Sequence, residues 1–284
     1  MNALDIQSLL SNLNALAEGM ERVRRGLRQY SKLRGEPFQN VNRLRMTLSR
    51  IEKASESLIP EEIRNSLQEW LSNEKSLLED AQKQLQSKFG RDLEDFLKQK
   101  GFELRGQYPR LQAGFYTIKL DFELNEVRFW YGPEEEFISS LPLDAERVAD
   151  TIMKFHEGLT KRPFDDMQFL KELYMAYMRV LNRDGRQGSE KIPITSLMVE
   201  LAYMRQDSRF RADPRRINFR DYGRVLFSYD MYRLTKRDFE GRMMMLTTAT
   251  RLQVKNRERY LWIPSKEKGD GTVYSLVHFG GVKA

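Results

Sequence analysis

Ile6, Leu9, Leu13, Leu16, Met20, Val23, Leu27 and Tyr30 recur at alternating spacings of three and four. This heptad seam predicts a long first helix. "RGEPFQN" interrupts it, since Gly35 can close a helix and Pro37 suits the first turn of the next. A second seam runs through Val41, Leu44, Leu48, Ile51 and Leu58, with serine at position 55. After a break at Pro60, a third helix is expected from about Glu61 to Lys100, with Ile63, Leu67, Trp70, Leu71, Leu78, Ala81 and Leu85 inward. Short connections between long amphipathic helices imply antiparallel neighbours. Two arrangements satisfy the pattern. The first two helices fold back along the third as a bundle or coiled-coil arm, or helix one pairs with its copy in a second subunit.

The period then changes from seven to two. Tyr116, Ile118, Leu120, Phe122 and Leu124 alternate with Phe115, Thr117, Lys119, Asp121 and Glu123, the rhythm of a half-buried strand. "LNE" turns into a second strand, "VRFWYG", which Gly132-Pro133 stops. An antiparallel hairpin with an earlier edge strand near Phe102 to Leu104 is expected, and so small a sheet must lean on a helix. Asp144 and Glu146 open one helix, striped by Val148, Ile152, Phe155 and Leu159. Another begins near Asp165, with Met167, Leu170, Tyr174, Tyr177, Met178 and Leu181 on one face.

"NRDGRQGSEK" is a polar connector and marks a boundary. Beyond it, "IPITSLMVELAYMRQ" predicts a helix capped by Thr195 or Ser196. "FRDYGRVLFSYDMYRLTKR" reads as a further helix, although its β-branched and aromatic content would also suit a strand, while "MMMLTTATRLQV" and "RYLWIPSKEKGDGTVYSLVHF" read as strands, the latter turning at "KGDG". Helices followed by a twisted hairpin with a basic tip resemble a winged-helix module. That resemblance covers roughly residues 190–280 and rests on element order, without a signature motif. The expected fold is therefore α+β and helix-rich: a helical coiled-coil-like arm over 1–100, a small hairpin-plus-helices domain over 101–182, and a basic winged-helix-like domain over 183–284.

Charge sharpens this division. From Arg183 to Ala284 there are 21 Lys plus Arg against 12 Asp plus Glu, whereas the preceding residues carry 27 against 29. The basicity belongs to the last third, and such asymmetry calls for a polyanionic partner there. Its densest part is "RFRADPRRINFRDYGR", which places Arg209, Arg211, Arg215, Arg216, Arg220 and Arg224 among Phe210, Phe219 and Tyr222. Guanidinium forks suit phosphate geometry, and the rings can stack on bases or anchor the segment. Lys255 and Arg257, and then Lys266 and Lys268 in the hairpin tip, extend the candidate surface. Arg233, Lys236, Arg237 and Arg259 add to it. The basic run "ERVRRGLRQYSKLR" lies outside the seam of helix one and reads as a solvated face.

Catalytic chemistry finds little in the sequence. With zero cysteines, disulfides, thiolate metal sites and a cysteine nucleophile are excluded. The only histidines, His156 and His278, fall in different elements. No phosphate-cradling glycine loop, dinucleotide fingerprint or serine elbow occurs. Glu134, Glu135 and Glu136, with Lys119, Asp121 and Glu123, could form a magnesium nuclease. Alternating charge on the wet face of a hairpin explains them better. Phe129, Trp130 and Tyr131 read as core, as does the run Met243 to Met245.

No apolar run reaches the roughly 18 residues of a membrane span, and the start "MNALDIQSLL" lacks a basic leader region. The expectation is a cytoplasmic, non-catalytic, cofactor-free subunit that binds DNA, with RNA as the alternative. Its N-terminal helices would hold a protein partner or a second copy. DNA transactions or bacterial anti-phage defence would suit such a role, although no motif specifies either. The rival reading is a structural adaptor whose basic face meets an acidic protein.

Overall fold

Three helices carry the N-terminal heptad pattern: α1 (Ile6–Leu33), α2 (Pro37–Ser55) and α3 (Glu61–Gln99). The computed structural model describes residues 6–35, 37–56 and 59–281, so Leu58 of the second seam lies outside the described residues. Among these, the protein is a mixed α+β structure with eight helices and two antiparallel sheets. None of the helices is long and apolar enough to cross a membrane. The chain divides into two compact units.

The first unit holds the helices up to Asp95, with the short segments Asp121–Glu126 and Pro142–Glu146. Val23, Tyr30, Leu44, Leu48, Ile51, Leu67, Leu71 and Leu78 make its core. Gly26 permits the close approach of α1 and α2, since a Cβ there would fall 2.5 Å from Cγ1 of Ile51. The Tyr30 hydroxyl donates to Glu74 at 2.7 Å, and Arg34 reaches the same carboxylate at 2.7 Å. Burial and that carboxylate raise the Tyr30 phenol far above its ordinary range. The basic face of α1 is partly self-paired, with Arg24 2.6 Å from Glu21.

The seam of α1 is divided. Val23 and Tyr30 are buried, but Ile6 is 73% exposed, Leu13 is 61% exposed, and Leu9 and Met20 are exposed as well. The 19 residues of α2 are too few to cover the 28 of α1, so folding back sheathes only the C-terminal half. Ile63, expected inward, is also exposed.

The second unit begins at Phe96. Its first sheet has strands β1 (Leu104–Gln107), β2 (Arg110–Ala113), β3 (Tyr116–Asp121), β4 (Glu126–Tyr131) and β5 (Glu136–Pro142), hydrogen-bonded in chain order. The expected hairpin is present as β3 and β4, but within a five-stranded meander whose edge strand β1 begins at Leu104, where the sequence placed the end of its edge strand. Strand β2 has only four residues and β5 opens inside the glutamate run, so neither shows a clear two-residue rhythm. The wet face expected for β3 is also partly covered. Phe115 and Thr117 are buried along with Tyr116 and Ile118, and the Thr117 hydroxyl donates to the Gly132 carbonyl at 2.8 Å. Helix α4 (Ala145–Thr160) packs Phe155 edge-on to Tyr116 and Phe129.

Helix α5 (Asp166–Arg183) is capped by Asp165, which accepts from the Gln168 amide. The chain continues through β6 (Ile192–Pro193), α6 (Ile194–Met204), α7 (Ser208–Ala212), a 3-10 turn at Arg216–Asn218, and α8 (Arg224–Arg233). Strands β7 (Asp238–Phe239), β8 (Arg242–Thr248), β9 (Leu261–Pro264) and β10 (Gly271–Gly281) complete it. The second sheet is ordered β6-β10-β8-β7, with β9 also paired to β10. Leu170, Leu173, Leu197, Leu201, Phe227 and Phe279 lie in the core between this sheet and its helices. Two local expectations are corrected. Gln253–Lys255 is a 3-10 turn and does not extend the preceding strand. Helix α6 starts directly after Pro193 without a side-chain cap, so Thr195 lies inside the first turn and donates instead to the Glu258 carbonyl at 2.6 Å.

Candidate nucleic-acid interface

Five of the predicted arginines belong to one small excursion of the backbone. Gln206, buried beneath it, donates to the Ala202 carbonyl at 2.6 Å and the Arg220 carbonyl at 3.0 Å, and accepts from the Arg220 amide at 2.8 Å. Both ends of residues 207–219 are thereby tied together, as in a compact Ω-type loop. Asp207 caps α7 by accepting from the amides of Arg209 and Phe210, and Asn218 donates to the Asp213 carbonyl at 2.9 Å. The Phe210 ring is held edge-on between Tyr203 (6.4 Å) and Phe219 (5.5 Å).

Arg209, Arg211, Arg215, Arg216 and Arg220 are all exposed on this excursion. Arg215 is paired with Asp213, and Arg211 donates to the Met204 carbonyl at 3.4 Å. Among the described residues, the side chains of Arg209, Arg216 and Arg220 make no ion pair. Exposed apolar groups stand beside them: Ile217 is 87% exposed, Tyr203 57% and Phe219 43%.

The remaining predicted contacts are placed differently. Arg224 pairs with the buried carboxylate of Glu136 and donates to the carbonyls of Arg257 (3.0 Å) and Tyr260 (2.9 Å). Arg257 takes the other oxygen of Glu136. Arg224 therefore ties α8 to β5, and little of it reaches water. Beside them, burial raises the Glu135 carboxyl above its ordinary value, partly offset by a hydrogen bond from Tyr260. Lys255 is exposed on its 3-10 turn. Lys266 and Lys268 are exposed in the β9–β10 tip, with Lys266 3.9 Å from Asp270. That tip is docked: Gln112 of β2 donates to the Lys268 carbonyl at 3.3 Å. Gly269 has φ +89°, and a Cβ there would lie 2.3 Å from the Gly114 carbonyl oxygen.

Helix α8 is enclosed. Phe227, Ser228, Tyr229, Asp230 and Met231 are consecutive and all buried, so every face of the helix is covered. Ser228 donates to the Trp262 carbonyl at 2.6 Å, with the Tyr131 hydroxyl 3.3 Å away. Asp230 receives Arg162 at 2.6 Å, Arg233 at 2.6 Å and the Tyr222 hydroxyl at 2.8 Å, with Arg205 at 3.6 Å. Arg205 lies over the Tyr222 ring and Arg233 over Phe164. Tyr222 is thus an anchor of the arginine segment, and burial together with Asp230 holds its phenol far above the ordinary range.

The outer face of α6 runs between the two basic groups. Its 11 residues span about 16 Å. Near its start, Thr195, Met198 and Val199 border a groove of about 670 Å³ with Arg224 and Arg257. Near its end, Tyr203 meets Phe210. Arg257 and the arginine excursion therefore flank one exposed helix face.

Two further concavities occur in this unit. A cleft of about 580 Å³ beside Asp230 sets Arg162, Arg205 and Arg220 against Asp165, Glu172, Asp221 and Asp230, so its carboxylates outnumber its guanidiniums and it offers no surplus for an anion. A cavity of about 310 Å³ is walled by Phe102, Phe115, His156, Tyr229 and Tyr232 under the hairpin tip. There the Tyr116 hydroxyl meets Nδ1 of His156 at 3.0 Å, and burial holds the imidazole below its ordinary pKa. The nuclease candidates have local roles. Lys119 lies 3.5 Å from Glu134, and Asp121 accepts from the amides of Glu123 and Leu124 in the β3–β4 turn. Among the described residues, no group of three or more His, Asp or Glu side chains is placed to hold a metal. Phe129 and Tyr131 are fully buried, and Trp130 packs on Phe137.

Sequence reading missed the Asp230 cluster and the enclosure of α8. A signal for the latter exists: "VLFSYDMY" has apolar residues on all sides, the pattern of a helix without a solvent face. No protein-family model, curated protein or solved structure matches the chain.

Proposed function

We propose that this protein is a non-catalytic nucleic-acid-binding accessory subunit, of DNA before RNA, whose phosphate contacts come from the excursion between α6 and α8. The observation that carries this reading is the set of exposed guanidiniums of Arg209, Arg216 and Arg220, unpaired among the described residues on a rigidly tied loop. At Asp230 and Glu136, by contrast, the arginines of the same unit close on buried carboxylates. An arginine left in water gains most where a polyanion releases its counterions on binding.

The element order α5–β6–α6–α8–β8–β9–β10, with β10 between β6 and β8, supports a winged-helix reading of the C-terminal part. In that reading α8 takes the place of the recognition helix and the β9–β10 tip that of the wing. Both are packed against the rest of their unit, so contact with nucleic acid falls to the arginine excursion. The exposed half of α1 is the assembly face in this reading, since Ile6, Leu9 and Leu13 continue the heptad seam beyond its covered half.

A second reading is favoured by one observation. Ile217, Val199 and Tyr203 present apolar surface beside the arginines, which also suits an acidic protein partner. Titration of the full chain against labelled DNA over a salt series separates the two. Replacing Arg209, Arg216 and Arg220 by alanine is expected to reduce the slope of log K against log salt by about 2 to 3, at roughly 0.7–0.9 per phosphate. An unchanged slope, with the fold intact, removes the phosphate reading and leaves the acidic partner.

A further inference from the structure

From the rings beside the arginines we infer that the ligand is single-stranded nucleic acid, held by base stacking on Tyr203 and Phe219 between phosphate contacts. This rests on the nucleic-acid reading above and adds the form of the strand. Groove reading of a duplex requires a helix or ribbon free to enter it. Neither element of the winged-helix reading is free, since α8 is buried on every face and the β9–β10 tip is held on Gln112 and Gly114. The exposed face of α6 presents Val199 and Tyr203, and that helix has no arginine, lysine, asparagine or glutamine to read base edges.

What remains exposed has the chemistry of single-strand recognition, namely guanidiniums interleaved with accessible rings. Tyr203 and Phe219 flank Phe210, which holds each in an edge-on contact and leaves their outer sides in water. The two rings lie at most about 12 Å apart, within reach of one short run of unstacked bases. Arg209 and Arg211 stand on α7 beside Phe210, while Arg216 and Arg220 bracket Phe219, so phosphates on either side of a stacked base would meet a guanidinium. A duplex offers the same phosphates and hides its bases. Double-stranded binding would then use the arginines alone.

The test compares labelled homopolymeric single strands, of DNA and of RNA, with a blunt duplex of equal length, all against the full chain at fixed salt. The single strands are expected to bind more tightly, with the tighter of the two assigning the sugar. Phe219→Leu keeps an apolar contact to Phe210 and removes the ring. It and Tyr203→Ala are each expected to weaken single-strand binding by about tenfold, within the range for one stacked base. Both should leave the duplex affinity unchanged, whereas Arg216→Ala should lower both affinities. Equal or tighter binding of the duplex, with Phe219→Leu and Tyr203→Ala silent, overturns the inference and leaves the phosphate reading standing. Failure of the folded wild-type chain to bind any of these polymers at low salt overturns both.

Discussion

Asp230 is where the architecture around the arginine excursion is most exposed to a single substitution. Its carboxylate is 2% exposed and serves Arg162, Arg233, Arg205 and the Tyr222 hydroxyl together. Asp230→Ala would leave three guanidiniums without their shared acceptor. Removing one partner of a buried ion pair costs about 3–5 kcal/mol. The lower part of that range applies, because Arg205 keeps Glu172 at 2.7 Å and Arg233 keeps the Arg162 carbonyl at 3.0 Å. The three side chains are 27%, 26% and 16% exposed, so each can recover some hydration. Tyr222, buried, adds the loss of its acceptor at about 1 kcal/mol. A total of about 4 kcal/mol follows. Urea denaturation followed by tryptophan fluorescence would read it as a fall in midpoint. Exposed Asp221→Ala serves as the control, within about 0.5 kcal/mol of wild type. A loss below about 1 kcal/mol for Asp230→Ala would refute the reasoning, since Asp230 would then be no keystone of the cluster.

Three other outcomes follow from the same structure. Glu136→Gln should destabilise the second unit and, by releasing Arg257, steepen the salt dependence of DNA binding; an unaltered slope counts against Arg257 lying beside the interface. In a seam that joins two copies, Leu13→Asp with Leu16→Asp should lower the sedimenting mass, while a wild-type chain that is monomeric at every concentration removes the homotypic reading. His156 binds a proton less readily folded than unfolded, because burial disfavours its imidazolium and Glu267 only partly compensates. Stability is therefore fully present above the ordinary histidine value and declines as pH falls through the lower folded value. The urea midpoint should drop as pH falls through and below the ordinary histidine value, less so in His156→Gln. His278, shifted the same way by burial, should contribute in the same direction.

Much of this was legible in the sequence because it depends on local periodicity. The seven-residue pattern alone located α1, α2 and α3, and the two-residue rhythm located β3 and β4, since long amphipathic elements repeat their signal many times over. Strands β2 and β5 escaped because four residues, or a strand opening in charged side chains, repeat nothing. The arginines and their rings were visible as composition, which fixes the available charge and stacking surface whatever the fold.

Tertiary structure decided which of those groups are free. Arg216 and Arg224 are the same residue type eight positions apart, yet one stands in water and the other closes on Glu136, far away in sequence. Tyr222 and Phe219 are three residues apart, and one is locked on Asp230 while the other faces solvent. Partnership of a charge depends on which distant carboxylate the chain brings alongside it, and periodicity carries no information on that. For the same reason the heptad seam of α1 announced its existence in the sequence, whereas only the lengths of the packed helices settled which half of it the fold covers.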